Sequence, residues 1–142
     1  MITSARNQFT GKVTAITTGA VNDEIEIALP NGLALIATIT HSSVENLKLQ
    51  QGGEAIAFIK APWVILAAAD SGLRFSARNQ FSGTVKKIVT GAVNSEITIS
   101  IDAGMSLVSV ITNESVGGLT LKEGDSVIAL VKASSIVIAT RA

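Results

Sequence analysis

Four basic residues recur in this chain at a fixed interval of 72 positions: Arg6 with Arg78, and Lys60 with Lys132. The other seven of the eleven basic residues have no counterpart at that offset, and among the eleven acids only Glu24 and Glu96 coincide. Solubility requires charge but does not require it in register. One guanidinium and one ammonium per half therefore point to a shared contact. A guanidinium offers a rigid fork of donors and an ammonium a compact mobile charge, which together suit several oxygens of one anion. Ser4 and Ser76 add hydroxyls beside the arginines. Thr40 and Ser43, repeated as Thr112 and Ser115, open a short helical segment whose first N–H groups lack intrahelical acceptors. This donor set, with no obligatory carboxylate among it, fits a tetrahedral oxyanion better than a cation or a general base.

Each of these residues also has a purely structural reading. The Ser-Ala-Arg-Asn segment can be a strand entrance whose arginine pairs with Glu24 or Glu96. Thr40 and Ser43 can be plain helix caps, and Lys60 a solvated charge on a strand edge. The Thr18-Gly-Ala-Val-Asn22 segment, repeated at Thr90 to Asn94, reads as a turn in which Gly19 or Gly91 takes a positive φ and Asn22 or Asn94 bonds its own backbone. His41 is the only histidine and Asn113 stands at its position in the other half, so it reads as an exposed helix residue and implies no metal site. Trp63 reads as packing, although its place three residues past Lys60 makes it a candidate reporter of a pocket there. Ser134 and Ser135 stand where the first half has Pro62 and Trp63.

The elements that position these residues follow from the repeat itself. Roughly half of the aligned positions match, including Ser4 to Phe9 on Ser76 to Phe81 and Gly52 on Gly124, without a slip in register. Ile25, Ile27 and Leu29 alternate with Glu24, Glu26 and Ala28, the period of a strand with one buried face, and Ile97, Ile99 and Ile101 repeat it. Pro30-Asn-Gly32 and Asp102-Ala-Gly104 supply turn chemistry before the next alternating run. Thr40 and Thr112 then cap one or two helical turns in which Val44 and Leu47, or Val116 and Leu119, share a face. Two further β runs close each half, the last at Val64 to Ala67 or Ile136 to Ala139. The order β, β, β, short α, β, β predicts an all-β chain of two tandem OB-like five-stranded barrels, each with one short helix, with a small β-sandwich as the competing architecture. The expected boundaries are residues 1–69, a short linker at 70–74, and 75–142, with the two modules abutting.

Composition narrows the function further. Hydrophobic residues make up 47% and charged residues 15% of the 142 residues, with mean hydropathy +0.47. A module of about seventy residues has a meagre core, so oligomerisation is the expected sink for the surplus apolar surface. The longest apolar stretch, Ala61 to Ala69, falls far short of the roughly twenty residues that span a bilayer. No basic, then apolar opening marks a secretory signal, which favours an intracellular, cytoplasmic location. With no cysteine, thiolate sites and disulfides are ruled out. Zero formal net charge and five aromatics argue against a nucleic-acid partner despite the OB-like order. The absence of a paired His, Cys or carboxylate constellation argues against an enzyme.

The Ser-Ala-Arg-Asn-Gln opening, the Gly-Ala-Val-Asn turn, the Thr-x-x-Ser helix start and the Lys-Ala-Pro-Trp strand end, taken in order, resemble molybdenum-pterin-binding (Mop) modules. Two in tandem resemble a molbindin. The resemblance covers nearly the whole chain and implies molybdate or tungstate bound as the intact oxyanion rather than a bare metal cation. It also implies a homotrimer whose six modules form a pseudo-sixfold assembly, with anions at module interfaces. Carried onto this sequence, Ser4, Arg6 and Lys60 of one module would meet Thr40 and Ser43 of a neighbour, and Ser76, Arg78, Lys132, Thr112 and Ser115 would build equivalent sites. A second class of anion site near the symmetry axis would use Gly19, Ala20, Val21 and Asn22, with Gly91, Ala92, Val93 and Asn94. The lost Pro-Trp pair puts equal affinity of the two site sets in doubt. The implied role is storage and homeostasis of the oxyanion. The alternative is a sensing module acting through a separate regulatory partner, since nothing here reads as a helix-turn-helix or a P-loop.

Overall fold

The computed structural model describes residues 2–30, 32–101 and 104–142. The first half runs β1 (Asn7–Thr17), β2 (Asn22–Ala28), β3 (Ala34–Thr40), α1 (His41–Leu47), β4 (Glu54–Ile59) and β5 (Ile65–Ala68). The second repeats it as β6 (Asn79–Thr90), β7 (Asn94–Ile101), β8 (Met105–Thr112), α2 (Asn113–Gly118), β9 (Ser126–Val131) and β10 (Val137–Ala139). A single 3₁₀ turn precedes each last strand, at Ala61–Trp63 and Ala133–Ser135. The all-β class, the element order and the OB-like five-stranded units are as the sequence predicts. The hairpin turns lie partly outside the described residues, at Asn31, Asp102 and Ala103. Gly32 and Gly104 beside them take positive φ, 81° and 79°.

The alternating patterns bury as their period requires. Ile25 and Ile27 are fully buried and Leu29 nearly so, with Leu35 and Ala37 opposite them on β3. Ile97, Ile99, Ile101 and Leu107 do the same in the second half. Val44 and Leu47 pack α1 onto this core, whereas Leu119, the expected partner of Val116, falls one residue past α2 and stays 36% exposed. Gly117 and Gly118 end that helix early, because glycine loses more backbone freedom in a helix than any other residue.

The last strands depart from the expected arrangement. The two sheets run β10-β4-β1-β2-β3 and β5-β9-β6-β7-β8, antiparallel throughout. Each half therefore supplies four strands to its own sheet and lends the fifth to the other. Local sequence cannot reveal this, since β5 and β10 are short apolar runs that satisfy any open edge. The exchange fuses the two units into one core in which Val64 and Leu66 pack with Ile97, Leu107 and Val127.

A second tie crosses the same boundary. Asn7, 3% exposed, directs its amide Nδ2 to the carbonyls of Ile59 (3.2 Å) and Val108 (2.8 Å), while its Oδ1 accepts from Val108 N–H at 2.7 Å. Asn79 makes the matching bonds to Val131 and Ile36. Both side chains thus serve as one more residue of strand pairing, between the two halves of the chain.

Candidate functional site

The arginines that the repeat keeps in register are held by the glutamates that it also keeps. Arg6 bonds Glu96 through both Nη atoms (2.7 and 3.0 Å), and Arg78 bonds Glu24 likewise (2.5 and 3.0 Å). Each pair joins opposite halves, so the strand-entrance reading holds, with the partner in the other half. Hydrogen bonding to Glu96, then its charge, raises the Arg6 pKa, and Glu24 acts on Arg78 in the same way. Arg6 in turn keeps the Glu96 carboxyl below its usual range. A guanidinium has five N–H donors, and this end-on pairing leaves the Nε edge open.

Two recesses gather the other donors. Ser76, Arg78 and Lys132 line one of about 420 Å³, to which β3 contributes Thr38. Ser4 and Lys60 line the corresponding one, about 220 Å³, with Trp63 on its wall. Arg6 is not among the residues lining it. Neither lysine has an ion-pair partner among the described residues. Both cap a 3₁₀ turn from extended backbone just past the end of a strand.

The threonine and serine pairs lie elsewhere in the single chain. Thr40 Oγ1 accepts from Ser43 N–H at 3.1 Å and touches Ser43 Oγ at 2.7 Å; Thr112 and Ser115 match at 3.1 and 2.9 Å. These are helix caps, as the structural reading has it, with exposed hydroxyls. Thr112 and Ser115 line a separate groove of about 590 Å³ against Pro62 and Ile65. The chain alone therefore joins Ser76, Arg78 and Lys132, and Ser4 with Lys60, but brings neither helix start to them.

The Gly19 to Asn22 and Gly91 to Asn94 turns differ from expectation in their cause. Neither glycine takes a positive φ. A Cβ on Gly19 or Gly91 would instead lie 2.3 or 2.6 Å from the carbonyl oxygen of Asn22 or Asn94, so the requirement is close backbone approach. The turns are tied to the helices, with His41 N–H on Val21 O at 2.9 Å and Asn113 N–H on Val93 O at 2.8 Å. Val21 and Val93 project outward, 72% and 70% exposed.

His41 is not simply a solvated helix residue. Its Nδ1 lies 2.8 Å from Oδ2 of Asp23, a carboxylate 1% exposed whose Oδ1 accepts from Gly19 N–H at 3.0 Å. Its Nε2 lies 3.2 Å from Glu45. The bond to Asp23, then its charge, raises the His41 pKa. Burial acts to raise the Asp23 pKa, but the bonds from His41 and Gly19 outweigh it and the net direction is down. In the second half a neutral pair, Ser95 and Asn113, takes the same place at 2.5 Å. The sequence reading missed Asp23, Asn7 and Asn79; the asparagines were visible only as part of the repeated Arg-Asn dipeptide.

The chain matches the TOBE domain twice, over residues 3–66 and 76–138. It is 46% identical to the cytoplasmic molybdate-binding protein ModG, solved with molybdate bound; the likeness covers 99% of this chain and 100% of that one, at a TM-score of 0.94. This chain belongs to the TOBE domain family, as a two-module Mop protein. Among relatives of this Mop protein, the molybdenum-pterin-binding protein MopA of Rhodobacter capsulatus is 42% identical over 98% of the chain and 52% of its own length. The molybdenum transport protein ModE of Herbaspirillum seropedicae is 37% identical over 99% of the chain and 52% of its own length. The chain spans about half the length of these curated relatives. Among its described residues, no helix is long and apolar enough to cross a membrane.

Proposed function

We propose that this Mop protein binds molybdate, or tungstate, as the intact oxyanion and stores it in the cytoplasm, with handover to cofactor synthesis as the outlet. The observation that carries this reading is the recess shared by Ser76, Arg78 and Lys132. It presents a hydroxyl, a guanidinium already oriented by Glu24, and an ammonium with no carboxylate partner among the described residues. Charge-assisted donors of this kind are the strong ones for a dianion. The 46% identity to a protein solved with molybdate bound points the same way.

The second recess, with Ser4 and Lys60, is its counterpart in the first half, and Arg6 completes that set. Thr40 and Ser43, or Thr112 and Ser115, reach these recesses from a second copy of the chain, in a homotrimer with a pseudo-sixfold arrangement of modules. The turns at Gly19 to Asn22 and Gly91 to Asn94, with their outward valines, form a second class of anion contact at the axis of that assembly. Exposed Ile65 and Val137, 54% and 53%, supply apolar surface for the association.

The test is equilibrium dialysis against molybdate, tungstate, sulfate and phosphate, with bound metal measured by elemental analysis. Wild type retains the first two, and Arg6→Ala with Arg78→Ala weakens uptake about 10- to 100-fold, the loss of a bond to a charged group at roughly 1.5–3 kcal/mol. Unchanged uptake in a folded double variant refutes the reading.

The similarity to ModE supports a second reading, in which the chain senses molybdate through a separate regulatory partner. A pull-down whose catch depends on added molybdate distinguishes it from storage.

A further inference from the structure

The two donor recesses share a repeat-related serine, alanine and lysine, although Arg78 lines the larger and Arg6 does not line the smaller, and one has about half the volume of the other, 220 against 420 Å³. Ser4 and Lys60 in the smaller match Ser76 and Lys132 in the larger. Of the wall residues that change, Trp63 is the largest: its counterpart, Ser135, does not line the larger recess at all. Phe75, where the smaller recess has Thr3, adds apolar bulk to the larger and Leu130, where the smaller has Phe58, removes some, and the second recess stays the larger. Trp63 is 39% exposed and lines the smaller recess together with Lys60, so its indole is not part of the core.

An indole in that position displaces water that a serine would admit. Donors facing an anion across less water act in a lower effective dielectric, where each contact is stronger. The same narrowing forces the anion to shed hydration on entry, which costs most for the most strongly hydrated dianion.

We propose that Trp63 is a specificity-determining residue that makes the two anion sites of each chain unequal. The Ser4–Lys60 recess is the tighter site and the one that discriminates molybdate from sulfate. The Ser76–Lys132 recess is wetter, weaker and less selective. This inference rests on the oxyanion reading above and adds which of the two sites is selective.

The test is calorimetric titration of the full chain with sodium molybdate, alone and against sulfate, while the emission of Trp63, the single tryptophan, is followed. Two classes of site are expected, with the emission change saturating alongside the tighter. Trp63→Ser should weaken that class about tenfold, a change of about 1.4 kcal/mol, merge the two classes and lower selectivity over sulfate. Ser135→Trp should tighten the other class by a similar factor. A Trp63→Ser isotherm identical to wild type, or emission that follows the weaker class, overturns the proposal. Should Trp63→Ser fail to fold, Ser135→Trp decides, and no tightening there overturns it. Absence of any molybdate binding by wild type is a separate result, which refutes the oxyanion reading itself.

Discussion

Asn7 closes a two-bond ring with Val108, donating from Nδ2 to its carbonyl at 2.8 Å and accepting its N–H at 2.7 Å across 101 residues of sequence. A buried amide can do this because it carries donor and acceptor on one rigid plane, like a peptide group. Asn79 repeats the ring on Ile36. Together with the exchanged β5 and β10, these rings make the two repeats one folding unit.

The Asn7→Ala variant should therefore lose about 3 kcal/mol, since it removes two part-buried bonds to Val108 and a buried one to Ile59, each worth roughly 1 kcal/mol. Chemical denaturation followed by circular dichroism measures it. One cooperative transition with a lowered midpoint is expected. Two separate transitions would show that the halves unfold independently, contrary to the shared core.

The Asp23–His41 pair should give stability a pH dependence that the Ser95–Asn113 pair lacks. The raised pKa of His41 means that its contribution is full below the ordinary histidine range and is lost as pH rises through the raised value. The lowered pKa of Asp23 means that its contribution is present above the ordinary carboxylate range and is lost as pH falls through the lowered value. The pair thus stabilises most between the ordinary carboxylate and histidine ranges. Asp23→Ser with His41→Asn, which copies the second half, should flatten both limbs of a plot of thermal midpoint against pH. A plot of unchanged shape would show that the pair contributes nothing to the dependence.

Exposed Ile65 and Val137 should matter for assembly. Each lines one of the donor recesses and belongs to a strand lent to the other half. Ile65→Glu with Val137→Glu should convert the proposed trimer to monomers in light scattering after size-exclusion chromatography, with the far-ultraviolet spectrum retained. A trimer that survives both charges would place the interface elsewhere.

Much of this protein was legible in its residues. Alternation at Ile25, Ile27 and Leu29 determined a strand and its buried face, because side chains on a strand alternate with period two. Thr40 and Thr112 determined where the helices start, because a hydroxyl at that position satisfies an orphan N–H three residues on. The 72-residue repeat also singled out Arg6, Lys60, Ser4 and their counterparts before any geometry was known.

Tertiary structure decided what pairs with what. Nothing in β5 or β10 states which sheet edge it joins, since a short apolar strand meets the same backbone donors and acceptors at either edge. The glutamate that binds each arginine, and the Val108 or Ile36 backbone that closes a ring with each asparagine, lie in the opposite repeat because the two halves of the chain cross. Sequence determined the local periods and the donor types. The crossing, which depends on the relative placement of segments up to 101 residues apart, was settled only when each sheet took up the other half's last strand.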